Sequence, residues 1–587
     1  MDKLAKLREL MLKHGIDTYI IQGGDAHNSE YSASHWGSRN WFSGFTGSAG
    51  VVVVTHKQAG LWTDGRYFIQ AEKELQGTGI DLYKMRQPGV PTYQDFIEEN
   101  TQPGSTVGFD GGTFSSADFC ALKDKLPGRK FAYDNDLVGI LWHDRPAIPS
   151  HPVYDLPPAV AGTSAAQKLA VVREQMRENN VDAYLVTALE DIAWLLNVRG
   201  SDVAYTPLVY AYALITSTSA TIFTNKNKFD HLGTMLQSLG FTLQNYENVH
   251  ASVAALPGGS TIYYAQDKTN VKLASVVPSC VQFAINSGDF INNLKSQKST
   301  IELDNTRKAY IREGVAMVGT LKWLDESIVA GEHITENTIV TKLQGLRKEQ
   351  EGYISDSFAA ISAFGPNGAI VHYHHSGEGD AIASNSFYLL DTGAQYMGGT
   401  TDTTRTISVG NITPTMKRDF TLVLKGHIAL SRAIFTQGTT GHALDMLARQ
   451  PILQSYQNYN HGTGHGIGYC LAVHEGPQGI SQAAKPVELM QGMLLSNEPG
   501  IYKQGEYGVR IENVLAVQEK CKNDYGTFLY FETLTLCPYD TRAIDTSMLA
   551  QDEIDYINAY HATVYQTLSP LLDSSSANWL KNATAKI

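Results

Sequence analysis

The stretch KLAKLRELMLKHGIDTYIIQ at residues 3–22 returns as KLAVVREQMRENNVDAYLVT at residues 168–187, a constant offset of 165. Identities at that offset include Leu4/Leu169, Arg8/Arg173, Glu9/Glu174, Met11/Met176, Asp17/Asp182 and Tyr19/Tyr184. Leu4, Leu7 and Met11 stand at helical spacing between charges, so each copy reads as an amphipathic helix with one face to bury. A short apolar strand follows at once, opened in both copies by Asp-x-Tyr. Amphipathic helices resemble one another by composition alone, but the shared strand start and the similar downstream layout point to duplication. Both copies continue into strands, Ala49–Thr55 in the first and Val209–Thr216 with Ala220–Thr224 in the second. Two α/β domains of like build are predicted.

At 587 residues the chain exceeds what one hydrophobic core can organise. Prolines cluster at Arg145–Pro152 and Leu156–Pro158, where helix is blocked and an extended linker is favoured. Ser299 with Glu302 forms a capping-box signature that starts a long helix over Ile301–Val329. The expected domains are therefore 1–155, 156–299 and 300–587. From Leu534 onward the sequence is polar with scattered Leu and Tyr, which reads as terminal helices packed on the third domain.

The composition, 43% hydrophobic and 18% charged, is that of a soluble globular protein. A formal charge of −13 argues against nucleic acid, whose phosphates need a basic surface. The first helix carries charges where a signal peptide needs an uncharged apolar core, and no run is long enough to cross a bilayer. The five cysteines (Cys120, Cys280, Cys470, Cys521, Cys537) include no Cys-x-x-Cys pair, which suits a reducing compartment and argues against a thiolate zinc site. A cytoplasmic location, without nucleic-acid or membrane partners, is expected.

Every candidate ligand falls in the third domain. Asp391 follows the apolar run Phe387-Tyr-Leu-Leu, and Asp402 comes 11 residues later across Gln395-Tyr-Met-Gly-Gly399. Glu498 follows Met493-Leu-Leu-Ser-Asn, and Glu512 comes 14 residues later across Lys503-Gln-Gly-Glu-Tyr-Gly508. Singly, an acid at a strand end merely starts a turn. Two similarly built pairs point to a shared site. An uninterrupted strand would hold each pair too far apart for one ion, whereas a Gly-containing hairpin folds each pair onto one point. With one imidazole the four carboxylates carry −4, which two divalent ions and a bridging hydroxide nearly balance. These residues support a paired-metal hydrolytic site.

Between the two pairs lies Asn460-His-Gly-Thr-Gly-His-Gly-Ile-Gly468. Glycine follows His461 and flanks His465 on both sides, leaving room for close approach by backbone or substrate. One of these histidines is expected to coordinate metal and the other to contact substrate. His372 and His474 each follow apolar residues, where a histidine is usually a satisfied core residue, and spacing alone lifts neither above that. Alternation along Val509–Val514 places Arg510 and Glu512 on one face, with Arg510 either orienting a bound carboxylate or forming an ordinary salt bridge. There is no Gly-x-Ser-x-Gly elbow, no cysteine in an activating context, and the Gly44–Gly50 stretch lacks the Lys-Ser/Thr ending of a phosphate loop.

At these residues the chain resembles the aminopeptidase P (Xaa-Pro aminopeptidase) family, in its long three-domain cytosolic form. The resemblance runs through Ser43–Gly50, Leu61-Trp-Thr-Asp-Gly-Arg-Tyr67, Asp191–Asp202 and all the third-domain segments in order. It implies two related N-terminal α/β (creatinase-like) domains followed by an α+β pita-bread catalytic domain. It also implies two divalent metal ions per chain, usually Mn2+ with Co2+ or Zn2+ as alternatives, and a homodimer. Carried over by motif, Asp391, Asp402, His465, Glu498 and Glu512 are the implied metal ligands, with Asp402 and Glu512 bridging. His372, His461 and His474 are implied to line the substrate site, and Arg66 to help hold substrate. The implied reaction removes the first residue of a peptide with proline second, by hydroxide activated between the metals. Glu498 is the expected proton shuttle, and His474 or His372 would stabilise the oxyanion. A prolidase, restricted to Xaa-Pro dipeptides, is the nearest rival, and the duplicated N-terminal region disfavours it. A non-catalytic relative would be expected to lose ligands, and creatine hydrolysis on the same fold is disfavoured because the paired acids remain.

Overall fold

The computed structural model describes residues 3–284, 289–374, 377–383 and 385–587. The chain forms two compact units, one of residues 1–155 and 163–291, the other of residues 156–162 and 292–587.

The first unit contains two six-stranded sheets with the same strand order. One runs Asp81–Lys84, Ala59–Thr63, Val51–Thr55, Thr18–Ile21, Thr106–Phe109, Lys130–Ala132; the other runs Thr242–Gln244, Ala220–Thr224, Ala211–Thr216, Ala183–Val186, Thr261–Tyr263, Gln282–Phe283. The residues repeated in sequence do the same work in both. Asp17 accepts from the backbone N–H of Thr106 at 2.8 Å, and Asp182 accepts from that of Thr261 at 2.8 Å. Each acid thereby pins the first residue of the parallel neighbour strand. Arg8 donates from Nε to the carbonyl of Thr55 at 2.9 Å, and Arg173 to that of Thr216 at 3.0 Å, tying each helix to the end of the central hairpin. Leu7 and Met11 are fully buried on the inner face of the helix Lys3–Lys13, as the helical spacing requires. Duplication is thus visible in side-chain roles as well as in topology.

The second unit pairs helices with antiparallel sheets twice. The helix Thr300–Ala330 begins at Ser299, whose side chain accepts from the Glu302 N–H while Glu302 returns the bond, as the capping box predicts. It packs with the helix Glu336–Lys348 on the sheet of Ile361–Phe364, Ser386–Thr392 and Thr403–Val409, through Met317, Leu321, Leu343, Tyr388 and Leu390. The helices Pro414–Ser431 and Gly441–Leu453 pack in the same way on a second sheet, through Leu430, Ala448, Leu495, Leu515 and Val517. That sheet runs Ile434–Thr436, Gly526–Thr533, Asn513–Asn523, Leu494–Asn497. The terminal helices Gln551–Leu568 and Ser574–Ala583 bury Ile557, Val564, Leu568 and Leu580 against Phe420, Val423 and Val509.

A buried ionic knot fastens the first helix pair to a separate small sheet of Tyr353–Asp356, Ala394–Tyr396 and Gly399–Thr400. Arg347 donates from Nε to Glu313 at 3.1 Å and from a terminal nitrogen to Asp356 at 2.8 Å, and the Tyr396 hydroxyl donates to Glu313 at 3.0 Å. Arg347 is 1% exposed, so removing its charge strands two buried acids. Arg347→Met should lower the unfolding free energy by about 3–5 kcal/mol. Urea denaturation followed by fluorescence tests this, and an unchanged midpoint would contradict it.

Candidate metal centre

Strand register builds the first acid pair. Ser386–Thr392 is the middle strand of its sheet, with Asp391 opposite Thr404 and Thr392 opposite Thr403. The small hairpin of Ala394–Tyr396 and Gly399–Thr400 reverses the chain between them, so Asp391 and Asp402 come to the same end of adjacent strands. The second pair repeats the device. Asn497 pairs with Asn513, and the hairpin Gly500–Lys503 with Tyr507–Arg510 lies between Glu498 and Glu512. Each acid pair is therefore bracketed by one register pair, as the Gly-containing turns predict.

The glycine-rich stretch enters by close backbone approach. A Cβ at Gly464 would stand 1.9 Å from the Ser496 carbonyl oxygen, and one at Gly466 would stand 2.0 Å from that of Glu475. Only glycine lets this strand lie against its neighbours, and the approach is by backbone rather than substrate. The Glu498 N–H donates to the Thr463 carbonyl at 2.8 Å, and the His465 N–H donates to Ser496 Oγ at 3.0 Å.

The outcome is a cluster. One ligand atom each from Asp402, His465 and Glu512 lies within 4.8 Å of the others. His465 Nε2 stands 3.5 Å from Asp402 and 3.6 Å from Glu498. Asp391 joins through charge and through Arg510, which donates to its Oδ2 at 2.7 Å, while its buried Oδ1 has no hydrogen-bond partner. Thr404 Oγ1 donates to Glu512 at 2.7 Å and fixes that carboxylate. Burial, then the neighbouring Glu512, Asp391 and Glu498, holds the Asp402 carboxyl well above the usual range. Burial and then Glu512 raise Glu498 in the same way. Burial and then Asp391 push Glu512 up to about 7. Mutually repelling buried acids with an orphaned oxygen are a donor set that fits divalent cations: hard oxygen ligands and one imidazole, with an excess of negative charge to cancel.

The other sequence-derived candidates fall out differently. His461 bonds through Nε2 to the Tyr502 hydroxyl at 2.8 Å and through Nδ1 to the Gly462 carbonyl at 2.8 Å. Burial and the nearby Arg510 lower its pKa to about 3, so it is neutral. Tyr502 also accepts from Arg510 at 2.8 Å, which completes a chain from His461 through Tyr502 and Arg510 to Asp391. Arg510 thus orients a carboxylate, but that of Asp391; the strand Tyr507–Arg510 ends before Glu512, so the expected alternation does not run through. The exposed His474 sets its ring against that of His465, centroids 4.3 Å apart at 88°. His372 is half-buried and follows Val371, whose carbonyl accepts from Arg510 at 3.4 Å. In the first unit, Arg66 grips Asp64 with two bonds, at 2.8 and 2.7 Å.

Sequence reasoning missed the support beneath the acids. His427, fully buried, places Nδ1 3.1 Å from the Asn497 carbonyl and Nε2 3.1 Å from the Asn513 amide, and Asn497 donates back to the His427 carbonyl at 2.8 Å. One ring thereby holds the residue next to Glu498 and the residue next to Glu512. The flanking asparagines in Ser-Asn-Glu and Glu-Asn were the available signal; His427, about 70 residues upstream in a helix, offered none.

Because Glu512 keeps its proton up to about pH 7 and Asp402 and Glu498 are also raised, cation binding must expel protons. Affinity for a divalent ion should therefore rise with pH through the range between the ordinary glutamate value of 4.5 and about 7. Titration calorimetry of manganese into chelator-treated protein near pH 6, in buffers of different ionisation heat, should show net proton release. Equal heats in all buffers would refute this.

Residues 304–519 match metallopeptidase family M24, and residues 527–587 match the C-terminal region of that peptidase. Residues 3–137 and 144–302 each match a creatinase/prolidase N-terminal domain. A probable Xaa-Pro aminopeptidase P of Coprinopsis cinerea is 38% identical, over 100% of this chain and 98% of its own length. Aminopeptidase P2 of Arabidopsis thaliana is 37% identical over 99% and 88%. Among solved structures, X-prolyl aminopeptidase of Caenorhabditis elegans, described as a cytosolic enzyme with a di-nuclear active site, has a TM-score of 0.95 at 33% identity and covers 100% of this chain. The prolidase of Pyrococcus horikoshii reaches a TM-score of 0.51 and covers 63% of this chain. The chain belongs to metallopeptidase family M24, within its Xaa-Pro aminopeptidase P group.

Proposed function

We infer that the chain is a metal-dependent hydrolase that releases the N-terminal residue from peptides with proline in the second position. One observation carries the reading. Asp402, His465 and Glu512 converge within 4.8 Å, with Asp391 and Glu498 alongside, in a chain that matches aminopeptidase P over its whole length. We propose these five residues as the ligands of two metal ions, with Asp402 and Glu512 shared. The oxygen-rich set favours a hard or borderline ion, and manganese is the proposed one. Bound there, the ions supply Lewis-acid polarisation of the scissile carbonyl and a lowered pKa for water.

The protein's own groups divide the remaining work. Glu498 carries a proton to the proline nitrogen, which has no N–H of its own in the peptide. Arg510 neutralises Asp391 and keeps it turned to the cluster. His461 has both ring nitrogens engaged, so it meets substrate through its ring and steadies Tyr502. His474 and His372 are the proposed donors to the developing oxyanion. The role of Arg66 rests on family resemblance alone, as does the homodimer; the division into domains at 1–155, 156–299 and 300–587 is proposed from the proline clusters and the Ser299/Glu302 capping box. A cytoplasmic location is proposed; among the described residues no helix is long and apolar enough to cross a membrane.

The histidine assignment is tested by metal content. His465→Ala should lose manganese, since it deletes the one nitrogen ligand, whereas His461→Ala should keep the metal and lose turnover. Equal metal loss in the two variants would overturn the division.

Specificity tests the reaction itself. Ala-Pro-Ala should be cut after its first residue, and Ala-Ala-Ala should be poorer by about 10–200-fold in kcat/KM, the worth of one well-filled apolar subsite. An N-acetylated Ala-Pro-Ala should resist cleavage, because an exopeptidase cleft ends just past the first residue. Equal rates on the acetylated and free peptides would sink the exopeptidase reading.

A further inference from the structure

The chain beyond Leu534 reaches back under the acid cluster through one buried hydroxyl. Tyr539 is 2% exposed; its Oη accepts from the Asn513 amide nitrogen at 2.9 Å and lies 3.1 Å from His427 Nε2. The same amide nitrogen stands 3.1 Å from His427 Nε2, so amide, phenol and imidazole close a triangle. Its proton order follows from its surroundings. Arg405 donates to Asn513 Oδ1 at 2.8 Å, which turns the amide nitrogen into the triangle, and an amide nitrogen only donates. His427 Nε2 therefore accepts, and Nδ1 carries the hydrogen that faces the Asn497 carbonyl at 3.1 Å. Burial, then Arg405, lowers the pKa of His427 to about 3, in keeping with a neutral ring, and the Ile511 carbonyl also lies beside it. Tyr539 accepts from the amide and gives its own proton to the ring.

Both partners of that hydroxyl lead to a glutamate. Asn513 follows Glu512 directly, and Arg405, which holds the Asn513 side chain, also donates to the Glu512 carbonyl at 2.6 Å. His427 leads to Asn497, which precedes Glu498 and donates back to the His427 carbonyl at 2.8 Å. Tyr539 is held in turn from the other side. Its N–H donates to His561 Nε2 at 3.1 Å, and its ring stacks on that of Tyr560, centroids 4.7 Å apart at 28°. Both residues belong to the helix Gln551–Leu568. An ordinary core tyrosine needs some partner for its hydroxyl; this one meets the two side chains that flank the glutamate pair.

We propose that Tyr539 is a positioning residue for Glu498 and Glu512, through which the C-terminal region sets the spacing of the pair and so the affinity of the centre for divalent ions. The inference rests on the ligand assignment made above. Without the hydroxyl, the triangle is reduced to the single contact between Asn513 and His427, and both glutamate segments gain latitude.

The test is calorimetric titration of manganese(II) into the chelator-treated, full-length protein. Tyr539→Phe removes one oxygen and keeps the stacked ring and the backbone bond to His561, so it should fold. It should weaken binding of at least one ion by about 10–100-fold, the usual cost of losing a group that orients a metal ligand. Turnover of Ala-Pro-Ala should fall in parallel at limiting manganese and recover toward the parent kcat at saturating manganese. Tyr388→Phe is the control, since it deletes an equally buried hydroxyl bonded to Ser362 at 2.7 Å in the other sheet. It should lower the thermal midpoint at most and bind manganese as the parent does. Parent-like binding by Tyr539→Phe, or equal weakening in both variants, would overturn the proposal. Glu512→Ala, run alongside, separates the two readings. If it loses manganese while Tyr539→Phe does not, the role of Tyr539 alone is wrong; if it binds as the parent does, the ligand assignment and the role of Tyr539 fall together.

Discussion

Four carboxylates, three buried and one half-buried, that repel one another are the constraint the second unit is organised to withstand. Burial and mutual charge raise Asp402, Glu498 and Glu512 above their ordinary range, so the unaided cluster opposes the fold that creates it. A buried arginine opposes that repulsion. Arg510 pairs with Asp391 directly. Arg405, equally buried, has no carboxylate partner among the described residues. Its donors go to the carbonyls of Glu512, Thr404, Cys537 and Pro538, to Asn513 and to the Tyr560 hydroxyl. All of these acceptors are neutral, and Glu512 is bonded to Arg405 through its own backbone. A buried cation costs less when each of its donors is matched by an acceptor in this way.

What the sequence made legible was local or periodic. The long helix and its cap followed from Ser299 and Glu302 because a capping box spans four residues. The repeated Asp17/Asp182 and Arg8/Arg173 marked duplication because each makes the same backbone bond in its own sheet. The acid pairs were readable because a hairpin is short and glycine announces it. The glycines around His465 were read as room for close approach, and the neighbours turned out to be the Ser496 and Glu475 carbonyls.

What stayed illegible depends on contacts between residues far apart in the chain. Arg510 lies two residues from Glu512, and alternation placed them together, yet the guanidinium reaches Asp391, 119 positions away, because the strand breaks at Ile511. His427 carries no motif; its importance arises only when register brings Asn497 opposite Asn513 above it. Lys298 stands just before the Ser299 cap of the long helix, and only the folded chain reveals that its side chain is buried beside Glu475. Burial of a charge cannot be read from the residue itself, since a lysine is exposed by default and the exception is made by distant partners.

The segments that meet at the cluster are each held by a different kind of force, and this decides how sharply each can be placed. Asp391 lies within a seven-residue strand and Asp402 directly precedes its seven-residue partner, where a slip of one residue would turn every side chain to the other face. The glutamates sit just outside the Asn497–Asn513 register pair and need His427 to lock them. His465 is placed by backbone contact so close that no side chain fits between. His474 carries an exposed ring whose centroid lies 4.3 Å from that of His465. The strong, short-range devices therefore fall on the groups that must stay still under mutual repulsion.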